Sequence, residues 1–193
     1  MISLNILNIK HAIPRDELKP ISVLFLSVLI LAIHKTFGSI PFAQQIFSGT
    51  SEYGAVIYMF LSTFILLGVA PLLLFNLGFK ESIKNYGLII GDWKTGLKII
   101  AILFPVISLF VLYPSIYNQE MVNFYPQSKE AAGSIKLFLK FEAIRILFFY
   151  TGWEIFFRGF MLFGLRKHVG DAMAICIQII PSCLWHIGMS TGE

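Results

Sequence analysis

Residues 135–165 read IKLFLKFEAIRILFFYTGWEIFFRGFMLFGL. Wound as one helix, this run reaches about 46 Å at 1.5 Å per residue, more than the roughly 30 Å of hydrocarbon in a bilayer. Its charges fall at helical spacing. Glu154 and Arg158 stand at i and i+4, with the glutamate on the N-terminal side where that pairing is favourable. Tyr150 and Thr151 lie one turn earlier, and Lys140 four turns earlier. Such a helix is apolar around most of its circumference with one polar stripe, which must face a bundle interior or a wet cavity. An unpaired charge at mid-membrane costs roughly 2.5–3.5 kcal/mol even on the lower scales.

The rest of the chain repeats the theme. Further apolar segments cover residues 18–33, 53–77, 96–113 and 172–189, with Pro71, Pro105 and Pro181 inside them as kink positions. The 193 residues are 56% apolar and 13% charged, against roughly 25% charged in soluble domains, with a mean hydropathy of +0.76. The expected fold is therefore an all-α, polytopic transmembrane helical bundle forming one membrane domain over residues 1–193. It has about five membrane helices and an interfacial segment over residues 79–94, turning at Gly91-Asp92. Membrane lipid is its first partner.

Residues 1–17 form a polar segment ahead of the first apolar run, which stays as an anchor rather than being cleaved. Nine Lys and Arg (Lys10, Arg15, Lys19, Lys80, Lys84, Lys94, Lys98, Arg166, Lys167) fall on one side of the alternating topology, against Lys35, Lys129 and Lys136 on the other. That asymmetry predicts a cell-membrane protein with a cytoplasmic N-terminus and an exoplasmic loop over residues 114–134. The net charge of +4 is scattered through short loops, so no nucleic-acid surface is expected. Cys176 and Cys183 are about 10 Å apart along a helix, too far for a disulfide, and read as buried thiols used as small apolar groups.

A second polar stripe runs along the last segment: Gln178, Ser182 and His186 at i, i+4 and i+8. The hairpin between the last two segments turns near Val169-Gly170. Glu154 and His186 are then each about 23 Å from the turn along adjacent helices, predicting a carboxylate and an imidazole at one depth. A glutamate with an arginine counter-charge can take a proton from water, and a histidine beside it can orient that water or stabilise an oxyanion. Elsewhere, Glu142 and Arg145 read as a structural i, i+3 pair, and His168 as part of the solvated Arg166-Lys167-His168 cluster. His11 and His34 have no partners in sequence, and the 19 Phe residues read as packing or lipid-facing groups.

The segment Trp153-Glu154-Ile155-Phe156-Phe157-Arg158-Gly159-Phe160 resembles the first motif of the CAAX-protease and bacteriocin-processing (CPBP, or Abi) family, which reads Glu-Glu, three residues, Arg, usually then Gly. The segment Ile180-Pro181-Ser182-Cys183-Leu184-Trp185-His186-Ile187-Gly188 resembles the second, Phe, three residues, His. The resemblance covers residues 135–193, while earlier residues agree only in being membrane helices. It implies a multi-helix intramembrane endopeptidase acting on a membrane-associated protein or peptide. Some members trim prenylated CAAX proteins, and bacterial ones are linked to bacteriocin maturation or self-immunity. Carried over by motif, Glu154 is the general base, Arg158 its electrostatic partner and His186 the water or oxyanion ligand. No cofactor is required where the mechanism is metal-free; if a divalent metal such as zinc binds, its ligands are Glu154 and His186.

Trp153 stands where the pattern has its first Glu, and Ser182 where it has Phe. The sequence ends at Glu193, ahead of the later helices carrying the family's further His and Asn or Asp residues. This predicts either a protease completed by a second subunit that supplies the missing helices, or a truncated, non-catalytic scaffold or bacteriocin self-immunity protein of the same fold.

Overall fold

A computed structural model describes residues 14–187; His11 and the last residues of the final apolar segment, Gly188 and Met189 among them, lie outside the described residues. The described residues contain helices and no strand. In chain order they are α1 (Arg15–Phe37), α2 (Ile40–Ile46), α3 (Glu52–Gly78), α4 (Trp93–Ser115), α5 (Gln119–Phe124), α6 (Ile135–Val169) and α7 (Asp171–His186). Short polar residues between the apolar runs start most of them. Ser51 accepts from the N–H of Gly54 at α3, Asp92 from that of Thr95 at α4, and Ser134 from that of Leu137 at α6.

Among the described residues, four helices are long and apolar enough to cross a membrane: Glu17–Phe37 within α1, α3, α4 and α6. The expectation was five. The difference is α7, whose 16 described residues rise only about 24 Å. Its backbone leaves helical geometry at Ile187 (φ −63°, ψ 122°).

The bundle is built on the crossing of α3 and α6. A Cβ placed on Gly152 would lie 2.8 Å from the Thr63 carbonyl oxygen and 2.9 Å from the Phe64 Cα, so α6 meets the bare backbone of α3 there. Gly68 faces the same point, its Cβ position 3.3 Å from the Gly152 Cα. Small residues at such a crossing are what dispersion-driven packing in lipid demands. Beyond it, Phe156, Phe157 and Phe160 of α6 pack with Phe75 and Leu67 of α3, Val23 of α1 and Tyr86 in one buried cluster. Phe60 and Phe141 anchor a second. Nothing in α4 is buried against the other described helices.

The 79–94 segment packs onto the bundle through Tyr86, which is buried, while Ile89, Ile90 and Trp93 stay exposed. It makes a 3₁₀ turn at Ile83–Tyr86, then Gly87 at φ +80°, where a Cβ would press to 2.8 Å from the Phe163 ring. Only glycine suits both the left-handed conformation and that approach. The predicted turn at Gly91-Asp92 is present: the Trp93 N–H donates to the Gly91 carbonyl, and Asp92 caps α4.

Lys19 Nζ of α1 donates to both Glu81 carboxylate oxygens (2.8 and 2.9 Å), and the Tyr86 hydroxyl donates to the same carboxylate at 2.5 Å. Burial opposes ionisation of Glu81, but the bonds from Lys19 and Tyr86 and the charges of Lys19 and Lys167 outweigh it and hold the carboxyl below its ordinary value. A depressed folded-state pKa means a stabilising contribution complete above the unfolded value, about 4.3 for Glu, and lost as pH falls through the folded one. Glu81→Gln is accordingly expected to lower stability by about 1 kcal/mol at neutral pH. Thermal unfolding in detergent at a series of pH values should show the gap to wild type closing in acid; a gap constant with pH refutes the latch.

The hairpin between α6 and α7 turns at Gly170 (φ +80°), as expected, and is clamped by Arg166 donating to both oxygens of Asp171 at 2.8 and 3.0 Å. The buried line of α7 is Ala174 and Gln178. Cys176 lies about 200° and Cys183 about 140° round the helix from Gln178, at 100° per residue. Both thiols are therefore on the outer face, free and exposed, which corrects the expectation that they are buried.

Candidate functional site

Along α6, residues at helical spacing face a groove of about 440 Å³ between α6 and the 86–88 turn. Tyr150, Thr151, Glu154 and Arg158 form its polar line, with Tyr86, Leu88, Ile146 and Phe163 among the apolar walls. Glu154 Oε2 lies 3.4 Å from Arg158 Nε, and both side chains are about half exposed, at 55% and 54%. Arg158 Nη1 in turn donates to Gln178 Oε1 on α7 at 3.1 Å, and Gln178 is buried. The two polar stripes read from the sequence do meet, at Arg158 and Gln178. The guanidinium is thereby fixed from a second helix, and the carboxylate facing the groove has a fixed counter-charge.

His186 is placed otherwise. It lines a second groove of about 110 Å³ with Tyr125, Gln127, Arg145, Tyr150, Trp153 and Trp185. Its Nδ1 lies 2.8 Å from the Ser182 carbonyl. A carbonyl only accepts, so Nδ1 carries the proton and, in the neutral ring, Nε2 presents its lone pair. Among the described residues no hydrogen bond or ion pair joins Glu154 to His186. Trp153 is the residue that meets the imidazole, edge to face at 6.1 Å between ring centroids. Glu154 is one residue, or about 100°, further round α6 and looks into the other groove.

The Glu142–Arg145 pair is formed as expected, with Arg145 Nη2 2.7 Å from the carboxylate, and the guanidinium lies 5.4 Å from the centre of the Tyr150 ring. His168 is exposed at the end of α6. Sequence reasoning passed over His34, which is buried in α1 within 2.8 Å of Thr63 Oγ1 on α3. Thr63 donates to the Met59 carbonyl, so His34 Nε2 donates to Thr63, and His34 Nδ1 has no partner among the described residues. Its ring sits 5.1 Å from that of Trp185, over which Lys35 Nζ also lies. The available signal was Thr63, a hydroxyl within an apolar run, but nothing in one sequence pairs it with a histidine 29 residues earlier.

A zinc site takes three or four converging protein ligands. Among the described residues no group of three His, Cys, Asp or Glu side chains could hold a metal ion, and Glu154 and His186 line different grooves. The donor set described does not fit a zinc centre. Comparison with protein-family models, with curated proteins and with solved structures gave no match.

Proposed function

We propose that the chain is an intramembrane endopeptidase of the CPBP type, with Glu154 as the group that activates water against a peptide bond of a membrane-associated protein or peptide. The observation that carries this reading is the Glu154 carboxylate, open to a groove on a membrane-spanning helix and held beside Arg158, which is itself tied to buried Gln178. Ionisable groups on such a helix are costly and mark functional-site candidates, and this one is offset by Arg158.

In the reaction, Glu154 takes a proton from water as the water oxygen bonds to the substrate carbonyl carbon. The carbonyl oxygen becomes anionic, the C–N bond then breaks, and Glu154 returns the proton to the leaving amine. The products are a carboxylate and an amine. His186, with Nε2 free to accept, is a ligand for water or substrate from the adjoining groove. In this reading α7 lies in the bilayer beside the four spanning helices, and the N-terminus is cytoplasmic.

A specific observation favours a second reading, a non-catalytic scaffold or self-immunity protein that binds a peptide in the same groove. Trp153, not a second carboxylate, occupies the position beside His186.

The two separate in one experiment. New protein N-termini are mapped in cell membranes carrying the wild-type chain and in membranes carrying Glu154→Gln at equal abundance. Termini present with wild type and missing with the variant are the expected result. Identical sets end the protease reading and leave the scaffold.

A further inference from the structure

Tyr150 is the side chain common to both grooves. It precedes Glu154 by four residues, so the two project from the same face of α6 one turn apart. Its ring is half exposed, and among the described residues its hydroxyl has no hydrogen-bond partner. The ring has two neighbours on its own helix. Phe149 meets it edge to face at 5.5 Å, and the Arg145 guanidinium lies 5.4 Å from its centre. Arg145 is fixed in turn, its Nε donating to Glu142 at 2.9 Å and its Nη2 2.7 Å from the same carboxylate. Glu142, Arg145 and Tyr150 thus form a chain along one helix that ends in an O–H donor one helical turn from the proposed base, in the same groove.

We propose that Tyr150 is a catalytic residue of this site, its phenol donating a hydrogen bond to the substrate carbonyl oxygen as that oxygen becomes anionic, with Arg145 as the positioning residue that fixes the ring. The proposal rests on the hydrolase reading and adds to it a neutral electrophilic donor. Glu154 can only accept while ionised, and neutral His186 has its one N–H committed to Ser182. Arg158 directs one N–H at Gln178 and one at Glu154, and its remaining N–H groups belong to a cation already paired with the base, whereas the phenol is uncommitted. A free donor on a held ring requires little reorganisation as charge develops, which is the condition under which one oxyanion donor contributes a factor of roughly 10²–10³ in rate. The phenol keeps its proton throughout.

The test uses the full chain in membranes and a substrate identified from its Glu154-dependent termini. Tyr150→Phe retains the ring, its contact with Phe149 and its place over Arg145, and removes only the O–H. The expected result is a fall in kcat of about 100-fold with KM within about twofold, since the donor engages the transition state alone. Arg145→Met should lower kcat less, and should cost nothing further in the Tyr150→Phe background, because the two act through one hydrogen bond. Should Tyr150→Phe fail to assemble, 3-fluorotyrosine at position 150 makes the phenol a stronger donor at nearly unchanged volume, and kcat should change while KM does not. Wild-type kcat in Tyr150→Phe, or in the fluorinated chain, overturns the proposal. If Glu154→Gln is inert while Tyr150→Phe keeps full kcat, the oxyanion role alone fails. If Glu154→Gln cleaves as wild type does, the hydrolase reading fails and takes Tyr150 with it.

Discussion

Glu154→Gln is expected to lower kcat/KM for peptide cleavage about 1,000-fold, equivalent to about 4 kcal/mol of transition-state stabilisation. The amide has the size of the carboxylate and can still accept from Arg158, but it cannot take a proton from water. The loss should appear in kcat with KM little changed, the pattern of a group that acts only in the transition state. The fold should survive. An ion pair at 3.4 Å between two half-exposed groups is worth about 1 kcal/mol or less, and the Arg158–Gln178 hydrogen bond does not depend on Glu154. Loss of activity with an unchanged unfolding midpoint therefore supports a chemical role. Full activity in the variant makes Glu154 a packing partner of Arg158 and nothing more.

Gly152→Ala should be among the most damaging small substitutions in the described residues, lowering stability by about 3 kcal/mol. The added Cβ would sit 2.8, 2.9 and 3.1 Å from the Thr63 carbonyl oxygen, Phe64 Cα and Phe64 N. All three are backbone atoms, so no rotamer change relieves the clash and the two helices must part. At Gly68 the nearest contacts of an added methyl are 3.3 and 3.4 Å, the second to the Phe64 ring, which can give way. Gly68→Ala should cost markedly less. Unfolding in mixed micelles read by tryptophan fluorescence gives the order; equal stability of wild type and Gly152→Ala excludes the close crossing. Because Glu154 is only two residues along α6, parting the helices should also reduce activity, giving Gly152→Ala a functional defect without contact to substrate.

The long apolar runs, the turns at Gly91-Asp92 and Gly170, and the interlocking of the two polar stripes were legible because each follows from local chemistry. Apolar length measures a span, a capping aspartate marks the turn at Gly91-Asp92 and a positive-φ glycine the one at Gly170, and Glu154, Arg158 and Gln178 sit at helical spacing on helices joined by a short hairpin. The placement of His186 was not legible for a geometric reason. Counting residues from a turn fixes height along a helix, whereas contact also depends on rotation about the axis, and one residue of rotation separates Trp153 from Glu154. The two cysteines were misjudged by the same omission. His34 and Thr63 lie on separate helices with no short connection between them, so their pairing is a product of tertiary packing alone. Family resemblance pointed to residue types at 154, 158 and 186 and is silent on Tyr150, whose distinction is to border two grooves.

α4 buries none of its residues among the described helices, although it is long and apolar enough to cross a membrane. Where lipid covers such a helix, it is lipid rather than protein that each side chain meets, and lipid does not distinguish leucine from isoleucine or one heptad phase from another. In that setting its 23 residues specify a length and an apolar surface. Substitutions that keep both are invisible to the bundle, while inserting or deleting residues in α4 alters the thickness of bilayer in which the whole molecule is at rest.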